Sequence, residues 1–251
     1  MKLHVHEWGD ADAPPLVCLH GVTGHGERFR QLAEERWAAT FRVIAPDLRG
    51  HGQSGWEPPW TFETHVADIV ETIDALGIAQ PDWVGHSFGG RLVLELAAAH
   101  PDRIRRVVLL DPAIDLLPHV AQLAAELELD EPVFDSVAAY VEDRATILTD
   151  RARMSADLAC YFQPQRGGRV RRNTSQAAVI SIFGELASAP PPPEQLTAPA
   201  LLLYAPEYGL VRDEHLDAYA GRLEIVTVPG MHHVMWDAFD ATADAVEEFL
   251  R

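Results

Sequence analysis

Gly85-His86-Ser87-Phe88-Gly89 fits the spacing G-x-S-x-G and stands between an apolar run and a helical pattern. Asp82-Trp83-Val84 reads as the end of a buried strand, and Arg91 to Ala99 as a helix interior. A strand that turns straight into a helix holds its serine on a sharply bent, strained backbone, so the hydroxyl stands clear of the sheet as a nucleophile. Gly85 and Gly89 leave room for that bend, because a Cβ on either would collide with the neighbouring strand or helix. The competing reading is a glycine-rich nucleotide loop around an ordinary serine, but neither G-x-G-x-x-G nor G-x-x-x-x-G-K-[ST] is present.

A serine attacking an acyl carbon needs donors for the oxyanion that develops. Phe88 falls in the first turn of the expected helix, where backbone N–H groups lack intrahelical partners and the helix dipole favours negative charge. A second donor is expected from the loop after an earlier strand. Leu16 to Leu19 runs into His20-Gly21, so the N–H of Val22 is the candidate, with Thr23-Gly24-His25-Gly26 flexible enough to fold the loop back toward Ser87.

With these motifs in order, the chain resembles the α/β-hydrolase family over almost its whole length. Val43 to Ser54 resembles the family's strand and D-x-R-G-x-G-x-S loop, to which we assign bracing by hydrogen bonds and no chemistry. Gly230-Met231-His232-His233 resembles the G-x-G-H segment that carries the catalytic histidine. In that register His232 replaces the second glycine, which implies His233 as the base and His232 as a loop residue. The resemblance is weakest at the acid. After Ala200 to Ala205 the family pattern puts Tyr208 in the place of the Asp, with Glu207 the nearest carboxylate. The other known location is the end of the preceding central strand, which here is Asp111 after Val107 to Leu110. Asp111 is favoured because it needs no shift of register; Glu207 is the alternative, and Asp111 as a helix cap is the competing structural role.

These residues need a fold that positions them. Strand and helix alternate along the chain, with strands expected near 3–8, 15–20, 41–46, 81–86, 105–111, 199–205 and 223–228, and helices near 27–39, 62–77, 88–100, 212–220 and 238–250. The expected architecture is α/β: a mostly parallel central sheet flanked by helices on both faces, trimmed by one N-terminal strand relative to many family members. Between Pro112 and the proline run 190–193 the alternation gives way to three or four helices, near Leu116 to Leu129, Ser136 to Leu148, Ser155 to Phe162 and Ser175 to Leu186. This stretch resembles the family's helical cap. The expected division is therefore a core of 1–111 and 197–251 and a cap of 112–196, with Tyr161, Phe162, Ile182 and Phe183 as candidate lining of an acyl or aryl pocket.

Composition fits one compact enzyme domain: 251 residues, 47% hydrophobic, with formal net charge −18. Such an acidic chain offers no basic cluster to displace phosphate counterions, so no nucleic-acid partner is expected, and an acidic surface repels anionic membranes. No stretch approaches the roughly 18 apolar residues of a membrane span. Cys18 and Cys160 read as isolated thiols, and no leader pattern precedes the first strand, so a cytoplasmic location is expected. Histidines 4, 6, 20, 25, 51 and 86 are numerous, yet without H-E-x-x-H or C-x-x-C spacing, and no metal or cofactor is expected. His86 is expected to pack under a neighbouring loop. The activity this implies is a serine hydrolase acting on a small-molecule ester or related acyl compound. Hydrolysis of a C–C bond by the same triad, or ligand binding without turnover, are the alternatives. A serine nucleophile argues against haloalkane dehalogenase or epoxide hydrolase chemistry, which use Asp in this family.

Overall fold

The computed structural model describes residues 1–130 and 133–251. Five strands precede the proposed insertion: β1 (Val5–Trp8), β2 (Pro15–Leu19), β3 (Arg42–Pro46), β4 (Asp82–His86) and β5 (Val107–Leu110). They join β9 (Ala200–Tyr204) and β10 (Leu223–Thr227) in a seven-stranded sheet of order β1-β3-β2-β4-β5-β9-β10. Only β1 runs antiparallel to its neighbour. Near-continuous apolar runs such as Val107–Leu110 and Leu201–Leu203 are fully buried, as a parallel sheet covered on both faces requires.

Alternate residues of each strand feed two cores. Val17 and Leu19 pack with α2 (Phe62–Ala75) and α3 (Phe88–Ala99) on one face. Leu16 and Cys18 pack on the other with Leu32 of α1 (Arg30–Glu35), and with Phe239, Ala243 and Val246 of α10 (Phe239–Leu250). Two short helices, α8 (Asp213–Ala218) and α9 (Val234–Asp237), complete the outer layer. Among the described residues, no helix is long and apolar enough to cross a membrane.

The segment between β5 and β9 holds α4 (Pro118–Leu127), α5 (Val137–Arg144), α6 (Arg151–Tyr161) and α7 (Gln176–Leu186). It also holds a three-stranded antiparallel sheet, β6 (Val133–Phe134), β7 (Phe162–Pro164) and β8 (Val170–Arg172), which the sequence did not announce. Strands of two or three residues are too short to show a period of two. Helix α6 starts earlier than expected because Asp150 caps it, accepting the N–H groups of Ala152 and Arg153 at 3.0 Å.

The 47–54 loop ties this segment back to the core. Gly52 N–H donates to Asn173 O at 2.9 Å and Ser175 N–H to Gly50 O at 2.7 Å. From the centre of the sheet, successive strands go one way to β3 and the other way to β4 and β5, so the order reverses between β2 and β4. Ligands of open α/β sheets bind beyond the carboxyl ends of the strands at such a point. Val22 follows β2 and Ser87 follows β4.

Candidate active site

Ser87 is the N-cap of α3, at φ 55° and ψ −118°. Among the described residues the only non-glycines with positive φ are Ser87 and Asp111, the latter at 40°. Each such conformation costs about 1–3 kcal/mol and persists only where the surroundings impose it. Here the ladder does so: Ser87 N–H donates to Leu110 O at 3.1 Å, while Ser87 O accepts Gly90 N–H at 2.9 Å and Ala113 N–H at 3.0 Å. The flanking glycines are obligatory. A Cβ on Gly85 would lie 2.4 Å from Gly89 O, and one on Gly89 would lie 2.0 Å from Leu19 O.

Ser87 Oγ lies 2.9 Å from His232 Nε2, and His232 Nδ1 lies 2.6 Å from Asp111 Oδ2. The partners assign the protons: Asp111 is acceptor-only, so Nδ1–H donates to it and Nε2 is left to accept from the serine. Asp111 is 0% exposed, and its Oδ1 accepts Ala205 N–H at 3.2 Å. His86 Nε2–H donates to the His232 carbonyl at 2.9 Å, fixing the loop from below. Burial and the neighbouring His232 push the His86 pKa well below the ordinary histidine value, so it stays neutral and keeps a single N–H for that bond. Tyr208 stacks on the imidazole of His232, ring centroids 4.8 Å apart and 14° from parallel.

His233, the base expected from the motif register, does not meet Ser87. Its ring packs on Trp236 at 4.2 Å, and its Nδ1 faces the Arg28 guanidinium at 3.4 Å. Burial, then the Arg28 charge, push its pKa well below the usual value, leaving a neutral ring that can accept from Arg28. The backbone explains the exchange. Gly230 turns at φ +118°, and His233 is already the N-cap of α9, its carbonyl accepting Trp236 N–H at 2.8 Å and Asp237 N–H at 3.0 Å. His232 is therefore the last free loop residue and the one aimed at the serine. Nothing local in His232-His233 distinguishes the two; only the distance to Ser87 does.

The N–H groups of Val22 and Phe88 have no hydrogen-bond partner among the described residues. The His20-Gly21 loop lies directly against Ser87, since a Cβ on Gly21 would be 3.1 Å from Ser87 Cβ. His20 supplies an orienting element that the sequence did not reveal. Leu48 N–H donates to His20 Nε2 at 3.0 Å, leaving Nδ1–H to donate to Gly21 O at 2.8 Å. Gly21 C=O and Val22 N–H belong to one planar trans peptide and point in opposite directions, so holding one aims the other. His51 Nε2–H donates to the next carbonyl, Val22 O, at 2.5 Å. Burial pushes the pKa of both histidines down, keeping them neutral.

A family model described as alpha/beta hydrolase fold matches residues 14–239. The chain belongs to the alpha/beta hydrolase family. Lipase LipV of Mycobacterium tuberculosis is 32% identical, the alignment covering 89% of this chain and 86% of the lipase. The sn-1-specific diacylglycerol lipase ABHD11 of Mus musculus is 27% identical over 96% of this chain and 82% of that protein. Among solved structures, E-2-(acetamidomethylene)succinate hydrolase superposes with a TM-score of 0.86 at 27% identity, covering 99% of this chain and 94% of that one. Relatives across the family bear the names lipase, esterase and hydrolase, and the chain is a hydrolase at that level of description.

Against the alpha/beta hydrolase pattern, the remaining candidates divide. Glu207 is exposed in the turn after β9, and it is Tyr208 beside it that meets the imidazole. Tyr161 and Phe162, candidates for the pocket, are 2% and 7% exposed. Tyr161 stacks on His25 at 4.5 Å with its hydroxyl 2.5 Å from Thr174 Oγ1, and Phe162 joins Phe134 and Tyr140. Ile182 is fully buried in the core shared with α2 and α3, and Phe183 is half-buried against it. No ring contact or hydrogen bond joins these four to Ser87 or His232 among the described residues.

His4, His6 and Asp47 bring ligand atoms within 4.8 Å of one another, which raises the question of a metal. The Asp47 carboxylate is already engaged: Oδ1 accepts Gly26 N–H at 2.7 Å and His6 Nε2–H at 3.2 Å, and Oδ2 accepts Gln53 N–H at 2.9 Å. Burial opposes its ionisation, but these donors outweigh burial and hold the pKa well below the usual carboxylate range. The cluster is a brace for the loops beside the site.

Proposed function

We propose that the chain is a serine hydrolase cleaving a carboxylic ester, or a related small acyl compound, through an acyl-enzyme. The observation that carries this reading is the unbroken line Ser87 Oγ, His232 Nε2, His232 Nδ1, Asp111 Oδ2, with steps of 2.9 and 2.6 Å at its two ends. His232 takes the serine proton as Oγ attacks the carbonyl carbon. Asp111 holds the Nδ1–H tautomer and stabilises the imidazolium, and the N–H groups of Val22 and Phe88 receive the oxyanion. Collapse of the tetrahedral adduct expels the alcohol, protonated by His232. Water, deprotonated by the same imidazole, then releases the acid and restores Ser87.

Residues 112–196 act in this reading as the cap over the acyl site, with core segments 1–111 and 197–251 supplying the chemistry. The names of the relatives, lipase and esterase, favour an ester over other acyl compounds. A cytoplasmic location belongs to the same proposal and suits the two free thiols, Cys18 buried and Cys160 exposed.

The test is labelling with a serine-reactive phosphonate beside a panel of esters of increasing acyl length. Ser87 should be the single residue modified, and Ser87→Ala should abolish labelling and turnover together. Modification at Ser54 or Ser181 would overturn the site, and a wild-type protein that neither labels nor hydrolyses would favour a ligand-binding role on the same fold.

A further inference from the structure

Asp237, the last residue of α9, uses its two oxygens on two different parts of the molecule. Oδ2 accepts the N–H of Met231, the residue before His232, at 2.7 Å. Oδ1 accepts the hydroxyl of Thr149, in the segment inserted between β5 and β9, also at 2.7 Å. Neighbouring bonds make the junction a unit. Asp150 N–H donates to Trp236 O at 3.1 Å, Thr146 N–H donates to Thr149 Oγ1 at 2.9 Å, and the Asp150 side chain caps α6. The loop closes this tightly only because residue 230 is glycine: a Cβ there would lie 2.5 Å from Asp237 Cβ. On the Ser87 side, the hydrogen bond that holds the His232 backbone is the one from His86 to its carbonyl. One residue earlier, the Met231 bond to Asp237 holds the backbone that leads into His232.

We infer that Asp237 is a positioning residue that ties the seating of the inserted segment to the placement of His232, so that the base is in line with Ser87 when Thr149 is docked. The inference rests on the serine-hydrolase reading. A carboxylate accepting from a backbone N–H and a hydroxyl makes stronger bonds than neutral pairs, so one side chain transmits the position of Thr149 to the backbone next to the imidazole. Misplacing a catalytic group by about 1 Å costs up to roughly a hundredfold in rate.

Four variants of the full-length protein test it: Asp237→Ala, Asp237→Asn, Thr149→Val and the double Asp237→Ala/Thr149→Val. Per active site counted by phosphonate titration, Asp237→Ala should lose about 10- to 100-fold in kcat with KM within about twofold. Asp237→Asn should recover most of it, since an amide oxygen can accept from Met231 and its NH2 can donate to Thr149 Oγ. Thr149→Val should lower kcat by a smaller factor, and the double variant should be no worse than Asp237→Ala alone. The proton NMR signal of His232 Nδ1–H, present in wild type and Asp237→Asn, should weaken in Asp237→Ala and Thr149→Val. A folded Thr149→Val with wild-type kcat and an unchanged signal would overturn the coupling. So would an Asp237→Ala protein that loses only melting temperature while its titrated sites turn over at the wild-type rate. The NMR arm needs no turnover, so a wild type that hydrolyses nothing would sink the functional reading and still leave the latch readable.

Discussion

Replacing Asp111 by Asn keeps the side-chain shape and removes the charge, and the surroundings dictate how the amide must lie. Ala205 N–H donates to Asp111 Oδ1 at 3.2 Å in a site with no exposure, and that donor remains in the variant. The amide oxygen must therefore face Ala205, which turns the NH2 toward His232 Nδ1. A ring nitrogen faced by a donor has to be the unprotonated one. The proton moves to Nε2, whose N–H then confronts Ser87 Oγ across 2.9 Å and cannot take the serine proton. With the base in the wrong tautomer, kcat should fall by about 10³ to 10⁴, or about 4 to 5.5 kcal/mol on the barrier at 1.36 kcal/mol per decade. KM should change little, since Asp111 lies behind the imidazole. The assay is steady-state hydrolysis of a chromogenic ester, with folding checked by melting temperature and Glu207→Gln in parallel. Glu207→Gln should cost less than about tenfold, because the side chain is exposed and its neighbour Tyr208 is what meets the ring. A folded Asp111→Asn that keeps a tenth of wild-type activity would refute the tautomer argument, and a larger loss in Glu207→Gln would move the acid to the turn after β9.

Three further outcomes are expected. His232→Ala should remove activity by several orders of magnitude, whereas His233→Ala, whose ring touches Trp236 and Arg28, should keep it within about tenfold; the reverse ranking in ester hydrolysis would restore the motif register. Gly89→Ala would set a Cβ 2.0 Å from Leu19 O and should cost more than about 3 kcal/mol in urea unfolding, while Gly184→Ala, with nothing within 4 Å in α7, should stabilise by up to about 1 kcal/mol. His65 is 1% exposed, both ring nitrogens unpaired among the described residues, and burial pushes its pKa down to about 3. Since the folded value lies below the unfolded value of about 6.5, the unfolded chain holds the extra proton in between. Stability should be full above about pH 6.5 and fall toward pH 3, by up to about 1.4 kcal/mol per unit from this group. His65→Leu should flatten that slope, and a wild-type slope in the variant would place the proton uptake elsewhere.

How much of this was legible in the sequence depends on what each residue had to report. The main strands announce themselves because a covered parallel sheet demands apolar runs such as Val107–Leu110, and the bend at Ser87 because only glycine tolerates the approach of Leu19 O to residue 89. For the carboxylate the sequence leaves Asp111 and Glu207 open, with Asp111 favoured for its place at a strand end, and the structure sets Asp111 Oδ2 2.6 Å from His232 Nδ1. Choosing between His232 and His233 was a different problem. A motif register counts residues, whereas the partner of Ser87 is set by where α9 begins, and the bonds to the His233 carbonyl begin it one residue earlier than the register needs. The orienting roles of His20, His51 and His86 were hidden for a related reason: each acts through a backbone carbonyl of a loop, Gly21, Val22 or His232, and carbonyl directions leave no trace in residue type.

The exchange of acid and histidine positions reduces to one geometric arrangement. His86 of β4 is paired with Leu110 of β5, so the residues that follow, Ser87 and Asp111, leave adjacent strands side by side. Both take positive φ, and both are pinned by the ladder: Ser87 N–H on Leu110 O, and Asp111 N–H on Leu203 O at 2.7 Å. Ser87 and Asp111 are thus spaced by the distance between neighbouring strands, and the imidazole of His232, carried on the loop before α9, bridges them. The turn after β9 no longer has to supply a carboxylate. Its contributions are the Ala205 N–H, which orients Asp111, and the Tyr208 ring, which lies flat on the imidazole face. In the proposed reaction, an aromatic face beside the imidazole attracts the positive charge that develops on it. Tyr208, which departs from the family pattern, thus meets the imidazole on its face, while Asp111 reaches its Nδ1 from the strand next to that of Ser87.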